Sequence, residues 1–71
     1  MERFKQGDRV AWTWGQGQGR GTVRHVYTGK ITRTIKGTQV TRHASDAEPA
    51  YLIEQADGDE VLKGQSALQK D

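Results

Sequence analysis

Trp12 and Trp14 stand beside a run in which glycine alternates with polar residues, Gly15-Gln16-Gly17-Gln18-Gly19-Arg20-Gly21. Indole faces stack on bases or enclose cations, and glycine-rich loops cradle phosphates, so this stretch carries the chain's most conspicuous chemical options. The glycines do not fit a phosphate loop. Neither G-x-G-x-x-G nor G-x-x-x-x-G-K matches their spacing, and Thr22-Val23-Arg24 continues as strand where such a loop needs a helix N-terminus. The ordinary reading is a glycine loop from 15 to 21 that breaks the first strand and reverses the chain through positive φ angles.

A second pattern is electrostatic. From Arg9 to Ser45 there are seven basic residues and no acid, +7, whereas from Asp46 onward seven acids face two lysines, −5; the whole chain carries +2. Within the basic stretch, Arg20, Arg24, Lys30, Arg33, Lys36 and Arg42 are the candidates for a nucleic-acid-binding face toward DNA or RNA phosphates, weak and independent of base sequence. The competing reading is that Asp57, Asp59 and Glu60 fold against these cations and neutralise them.

Catalytic chemistry has little to build on. The chain has no cysteine, Ser66 has no neighbouring histidine, and Asp57-Gly58-Asp59 reads as a solvated turn that falls short of a calcium loop. His25 and His43 lack partners at metal-ligand spacing. The expectation is a non-enzymatic chain with no metal and no cofactor.

The elements that must position these residues are short strands. With 71 residues the chain makes one domain, residues 1–71. A domain this small buries only about 60% of the surface exposed by its unfolded chain, so its core is thin. Apolar and polar residues alternate over Val10–Trp14 and again from Gly21 to Tyr27. Lys36-Gly37 sits at the middle of KITRTIKGTQVTR, which predicts a hairpin with Ile35 opposite Thr38 and Arg33 opposite Val40. Ala50-Tyr51-Leu52-Ile53 is the most apolar run and should be an interior strand; Glu60–Lys63 pairs back on it across Asp57-Gly58-Asp59. Gln65–Gln69 suggests one helical turn placing Leu68 against the core. The expectation is an all-β, five-stranded antiparallel barrel with a long central hairpin and a short helical turn near its end. With no signal-like or membrane-spanning apolar segment, the expected state is a soluble cytoplasmic monomer.

An ordered series of motifs carries a resemblance. Phe4-Lys5-Gln6-Gly7-Asp8-Arg9-Val10-Ala11-Trp12, Trp14-Gly15, Gly21-Thr22-Val23, Ile35-Lys36-Gly37, Val40, Arg42, Pro49-Ala50-Tyr51-Leu52-Ile53, Asp57-Gly58, Val61-Leu62-Lys63 and Ser66 with Leu68 resemble the hypervirulence-associated protein Tudor domain. The resemblance implies a Tudor-like or SH3-like barrel and supplies no ligand. Gln65 departs from the family pattern, which often has a histidine before the serine. The Tudor likeness also suggests an alternative partner: a protein or peptide, or a methylated side chain, in an aromatic groove of Trp14, Tyr27 and Tyr51. Against this, Trp12 reads as a core ring, and a thin core has its own need of the tyrosines.

Overall fold

The computed structural model describes residues 3–71. Its elements are β1 (Arg9–Trp14), β2 (Gly17–Tyr27), β3 (Lys30–Ile35), β4 (Thr38–His43), β5 (Ala50–Glu54), β6 (Glu60–Gly64), a 3₁₀ turn (Gln65–Ala67) and β7 (Gln69–Lys70). None of its helices is long and apolar enough to cross a membrane.

The fold is all-β, as expected, but the five-stranded barrel is not what forms. The described residues form seven strands, in an open five-stranded sheet of order β6-β5-β2-β1-β7 and a separate two-stranded hairpin, β3-β4. Two features keep the sheet from closing. The hairpin shares no ladder with either edge of the sheet, and β7 covers β1 only at Val10 and Ala11. β7 escaped the sequence reading because two polar residues show no alternation.

The glycine run is the larger correction. Only Gly15 (φ 49°) and Gln16 form the turn, and β2 begins at Gly17, four residues before the expected start. Gly17, Gly19 and Gly21 therefore lie inside a strand, facing Trp14, Trp12 and Val10 of β1. A Cβ on Gly19 would sit 2.5 Å from Nε1 and Cζ2 of Trp12, and one on Gly21 would sit 2.5 Å from Ile53 Cγ2 and 2.7 Å from the Glu54 carbonyl. These glycines empty one face of β2 so that an indole and the neighbouring strand can close on it; tight reversal is the task of Gly15 alone.

That face carries the core. Phe4, Val10, Trp12, Val23, Tyr51 and Ile53 form one buried cluster, with Val61 and Leu68 packed against it. Phe4 meets the Tyr51 ring edge-on, with centroids 5.6 Å apart. The 3₁₀ turn brings Leu68 beneath the cluster, as the sequence predicts. The Tyr51 hydroxyl, fully buried, accepts from the Phe4 N–H at 3.3 Å and donates to Gln65 Oε1. Gln65, at the position where the resemblance expects histidine, is thus a buried acceptor for Tyr51.

The opposite face of the sheet is divided. Toward β5 and β6 it is covered: Leu52 and Leu62, paired across the two strands, are both buried. Here the β3–β4 hairpin approaches, Arg33 reaching Glu60 at 3.7 Å and Lys36 reaching Asp59 at 2.9 Å. Its register is the expected one, with Ile35 opposite Thr38 and Arg33 opposite Val40, and its turn holds Lys36 (φ 52°) and Gly37 (φ 77°) in the left-handed region. Toward β1 and β2 the same face is open.

Candidate binding surfaces

On that open face, strand alternation places Arg9 and Ala11 of β1 beside Gln18, Arg20 and Thr22 of β2 and Glu54 of β5. Arg9 lies opposite Thr22 and Arg20 opposite Ala11, so the two arginines are diagonal neighbours. Alternation carries Arg24, the unpaired residue at the bulge between Val23 and His25, to the same group. Arg9, Arg20, Arg24, Thr22, Glu54 and Gln55 all line an open depression of about 490 Å³. The three arginine side chains are 52–68% exposed.

The acids here engage unequally. Glu54 Oε1 takes Arg24 directly, with Nε at 2.8 Å and Nη2 closer still. Asp71 stands off, its carboxylate 3.8 Å from Arg9 and 3.5 Å from Arg20. Arg9 was missed by the sequence reading. Its signal was strand parity: with Arg9 opposite Thr22, it must share a face with Arg20, but that register requires knowing that β2 starts at Gly17.

The six cations singled out in the sequence are not equally engaged by acids. Arg20 and Arg24 belong to the arginine face just described. Arg33 and Lys36 are tied to Glu60 and Asp59 of the β5–β6 turn. The hydrogen bond and charge of Asp59 hold the Lys36 ammonium above its usual pKa. Lys30 and Arg42, at the other end of the hairpin from its turn, are exposed, and the ion pairs among the described residues leave both without an acid.

The aromatic trio is not brought together. Tyr51 is completely buried. Tyr27 closes the 11-residue β2 at the far end from Gly17, beside His25 (centroids 6.1 Å). The paired length of β2 therefore separates it from Trp14, which pairs with Gly17. Trp14 itself is 60% exposed, its ring held against the bare Gly17 backbone. It lies on the core face, two residues from Trp12, over whose ring Lys63 Nζ sits 5.9 Å from the centroid.

Ser66 and Glu48 are occupied with structure. The Ser66 backbone N–H donates to Glu48 Oε2 at 2.9 Å, and hydrogen bonds from Ser66 hold the Glu48 carboxyl below its usual range. Among the described residues, no three His, Cys, Asp or Glu side chains gather at metal-ligand distance.

No curated protein and no solved structure matches the chain. A family model does, over residues 7–68, from the turn before β1 to the residue after the 3₁₀ turn. With nearly its whole length matched, the chain belongs to the family of hypervirulence associated proteins TUDOR domains.

Proposed function

We propose that this domain is a small, non-catalytic binding module whose ligand is the phosphate backbone of nucleic acid, bound without base specificity. The observation that carries the reading is the side-by-side placement of Arg9, Arg20 and Arg24, more than half exposed, around one open depression. Arginine suits this task because its planar fork engages two phosphate oxygens at once. The facing acids do not remove the site, since exposed ion pairs are worth at most about 1 kcal/mol and exchange readily for another anion. Relative to the sequence expectation, the site is centred on β1 and β2, where three arginines border one depression, and gains Arg9.

The test is fluorescence anisotropy of a labelled DNA duplex across a salt series. Two or three neutralised phosphates give a slope of log K against log salt of roughly −2 to −3, at about −0.9 per contact. Arg9→Gln with Arg20→Gln should remove most of the binding. A flat salt dependence, or no loss in the double variant, would sink the assignment.

The peptide reading keeps one specific observation in its favour, the exposed Trp14 ring resting on Gly17. A methylated, cationic side chain fits it poorly, because Tyr27 and Tyr51 are elsewhere and Lys63 lies on the same face. An uncharged or acidic extended peptide would fit better, and would bind with little response to salt.

A further inference from the structure

Arg9 and Arg20 pose a problem that Arg24 does not. Arg24 is committed to Glu54 through direct hydrogen bonds. Arg9 and Arg20 are two like charges on diagonal positions, with Ala11 and Thr22 on the other diagonal. Such a pair favours an anion between its guanidinium groups. The structure supplies one. Asp71 directs one carboxylate oxygen toward each arginine, at 3.8 and 3.5 Å, and its backbone N–H donates to the Arg9 carbonyl at 3.1 Å. Both carboxylate contacts are longer than a good charge-assisted hydrogen bond. The carboxylate is therefore positioned between the arginines without being locked there. What holds it is β7, a strand of two residues paired with β1 only at Val10 and Ala11.

We infer that Arg9 and Arg20 form a two-arginine oxyanion clasp whose resting occupant is Asp71, and that a phosphodiester group binds there by displacing it. This rests on the nucleic-acid reading above and adds to it an internal competitor. The Asp71 carboxylate marks the position of the incoming phosphate, whose oxygens reach the same two forks at shorter range and with better bidentate geometry. Asp71 thereby sets a threshold: it weakens binding of isolated anions more than that of a strand contacting several cations at once.

The experiment compares the full chain with Asp71→Asn and Asp46→Asn, using fluorescein-labelled oligothymidylate at low salt and anisotropy as the readout. Asp46 is exposed in the loop between β4 and β5 and pairs with no cation among the described residues, so its variant reports the effect of removing one negative charge. Asp71→Asn should tighten binding about three- to tenfold, as expected for freeing two loosely paired arginines, and Asp46→Asn by less than twofold. Adding Arg9→Gln and Arg20→Gln to Asp71→Asn should erase the gain. Inorganic phosphate should shift the arginine Nε–H NMR signals of Arg9 and Arg20 in Asp71→Asn at lower concentration than in the parent chain. Equal tightening in the two Asn variants would overturn the clasp while leaving the nucleic-acid reading standing. Absence of oligonucleotide binding in every variant at low salt would overturn both.

Discussion

The hairpins β1–β2 and β3–β4 each hold six paired positions across a two-residue turn, yet one is the spine of the sheet and the other stands apart from it. In β1–β2, one face is given to packing as far as Trp12: Val10 and Trp12 project from one strand and the other offers glycine opposite each. In β3–β4 neither face is buried. Ile31, Arg33, Ile35 and Val40 are half-buried, while Thr32, Thr34 and Thr41 are exposed, joined only by a Thr32–Thr41 hydroxyl contact of 3.0 Å. Strand propensity is high through β3–β4 and low in the glycine-rich start of β2, so propensity does not decide which hairpin joins the core. Volume complementarity across the ladder does, because burial of large rings supplies most of the stabilisation and needs an emptied opposing face.

The largest way to break this contrast is to attack the indole. Trp12→Ala should cost about 3–5 kcal/mol, enough to unfold many domains of this size. Trp14→Ala, at an exposed position on the same strand, should cost about 1 kcal/mol or less in chemical denaturation. Equal losses would mean that Trp14 belongs to the core in solution.

Next in size is Gly19. Adding one methyl there drives a Cβ into the Trp12 ring, and overpacking of this kind costs about 1–3 kcal/mol. The sharper form is a double-mutant cycle. Trp12→Leu removes the ring atoms that the new Cβ would meet, so Gly19→Ala should be far less harmful in that background, with a coupling on the order of 1–2 kcal/mol. Additive losses would show that Gly19 is required for its backbone freedom and not for the space it leaves.

The same two hairpins explain what was legible in the sequence. Lys36-Gly37 sits between clean alternating strands, so the hairpin and its register could be read directly, and the apolar run at Ala50–Ile53 marked an interior strand even though Tyr51 was also a candidate for an aromatic groove. Gly17, Gly19 and Gly21 could not be read so simply, because glycine between polar residues is the common composition of a loop. The overlooked signal was their period of two, which matches the period of Trp12 and Trp14 on the strand before. Mistaking strand for loop displaced everything on the opposite face, so Arg9 was not seen to stand with Arg20. The ion pairs were legible as the competing reading, which sets Asp59 and Glu60 against the basic stretch; which cation each acid meets depends on where the hairpin lies against β6, which no local pattern specifies. What the charge pattern did show was that an acidic half was available to meet a basic one.

A smaller effect probes how the separate hairpin is held. Lys36–Asp59 and Arg33–Glu60 link it to the β5–β6 turn through partly exposed side chains, and such pairs are weak and screened by salt. Asp59→Asn should leave the thermal midpoint nearly unchanged. Amide hydrogen exchange in β3 and β4 should nevertheless accelerate a few-fold, with β1 and β2 unaffected. If exchange in all four strands rose together, the hairpin would be part of one cooperative unit with the sheet.

The smallest effect concerns the connection between the two regions. Glu48 lies in the segment that leads from β4 into β5, where its N–H donates to Ser45 Oγ at 3.1 Å and its carbonyl accepts from the Ser45 N–H at 3.1 Å. Its side chain meanwhile crosses to Ser66 in the 3₁₀ turn, tying the exit of the hairpin to the closing segment of the sheet. The hydrogen bonds from Ser66 lower the Glu48 pKa, which fixes the sign of the pH effect. A carboxyl whose folded pKa is depressed stabilises the fold above the ordinary glutamate range, and that contribution is lost as pH falls through the folded value. Glu48→Gln retains an acceptor but not the charge. It should therefore be slightly less stable than the parent chain near neutral pH, and the difference should close on acidification, measured by urea denaturation at a series of pH values. The side chain is solvent-accessible, so the gap should be smaller than that for Trp12 or Gly19. A gap that stayed constant into strongly acidic solution would show that shape at this position matters and the carboxylate charge does not.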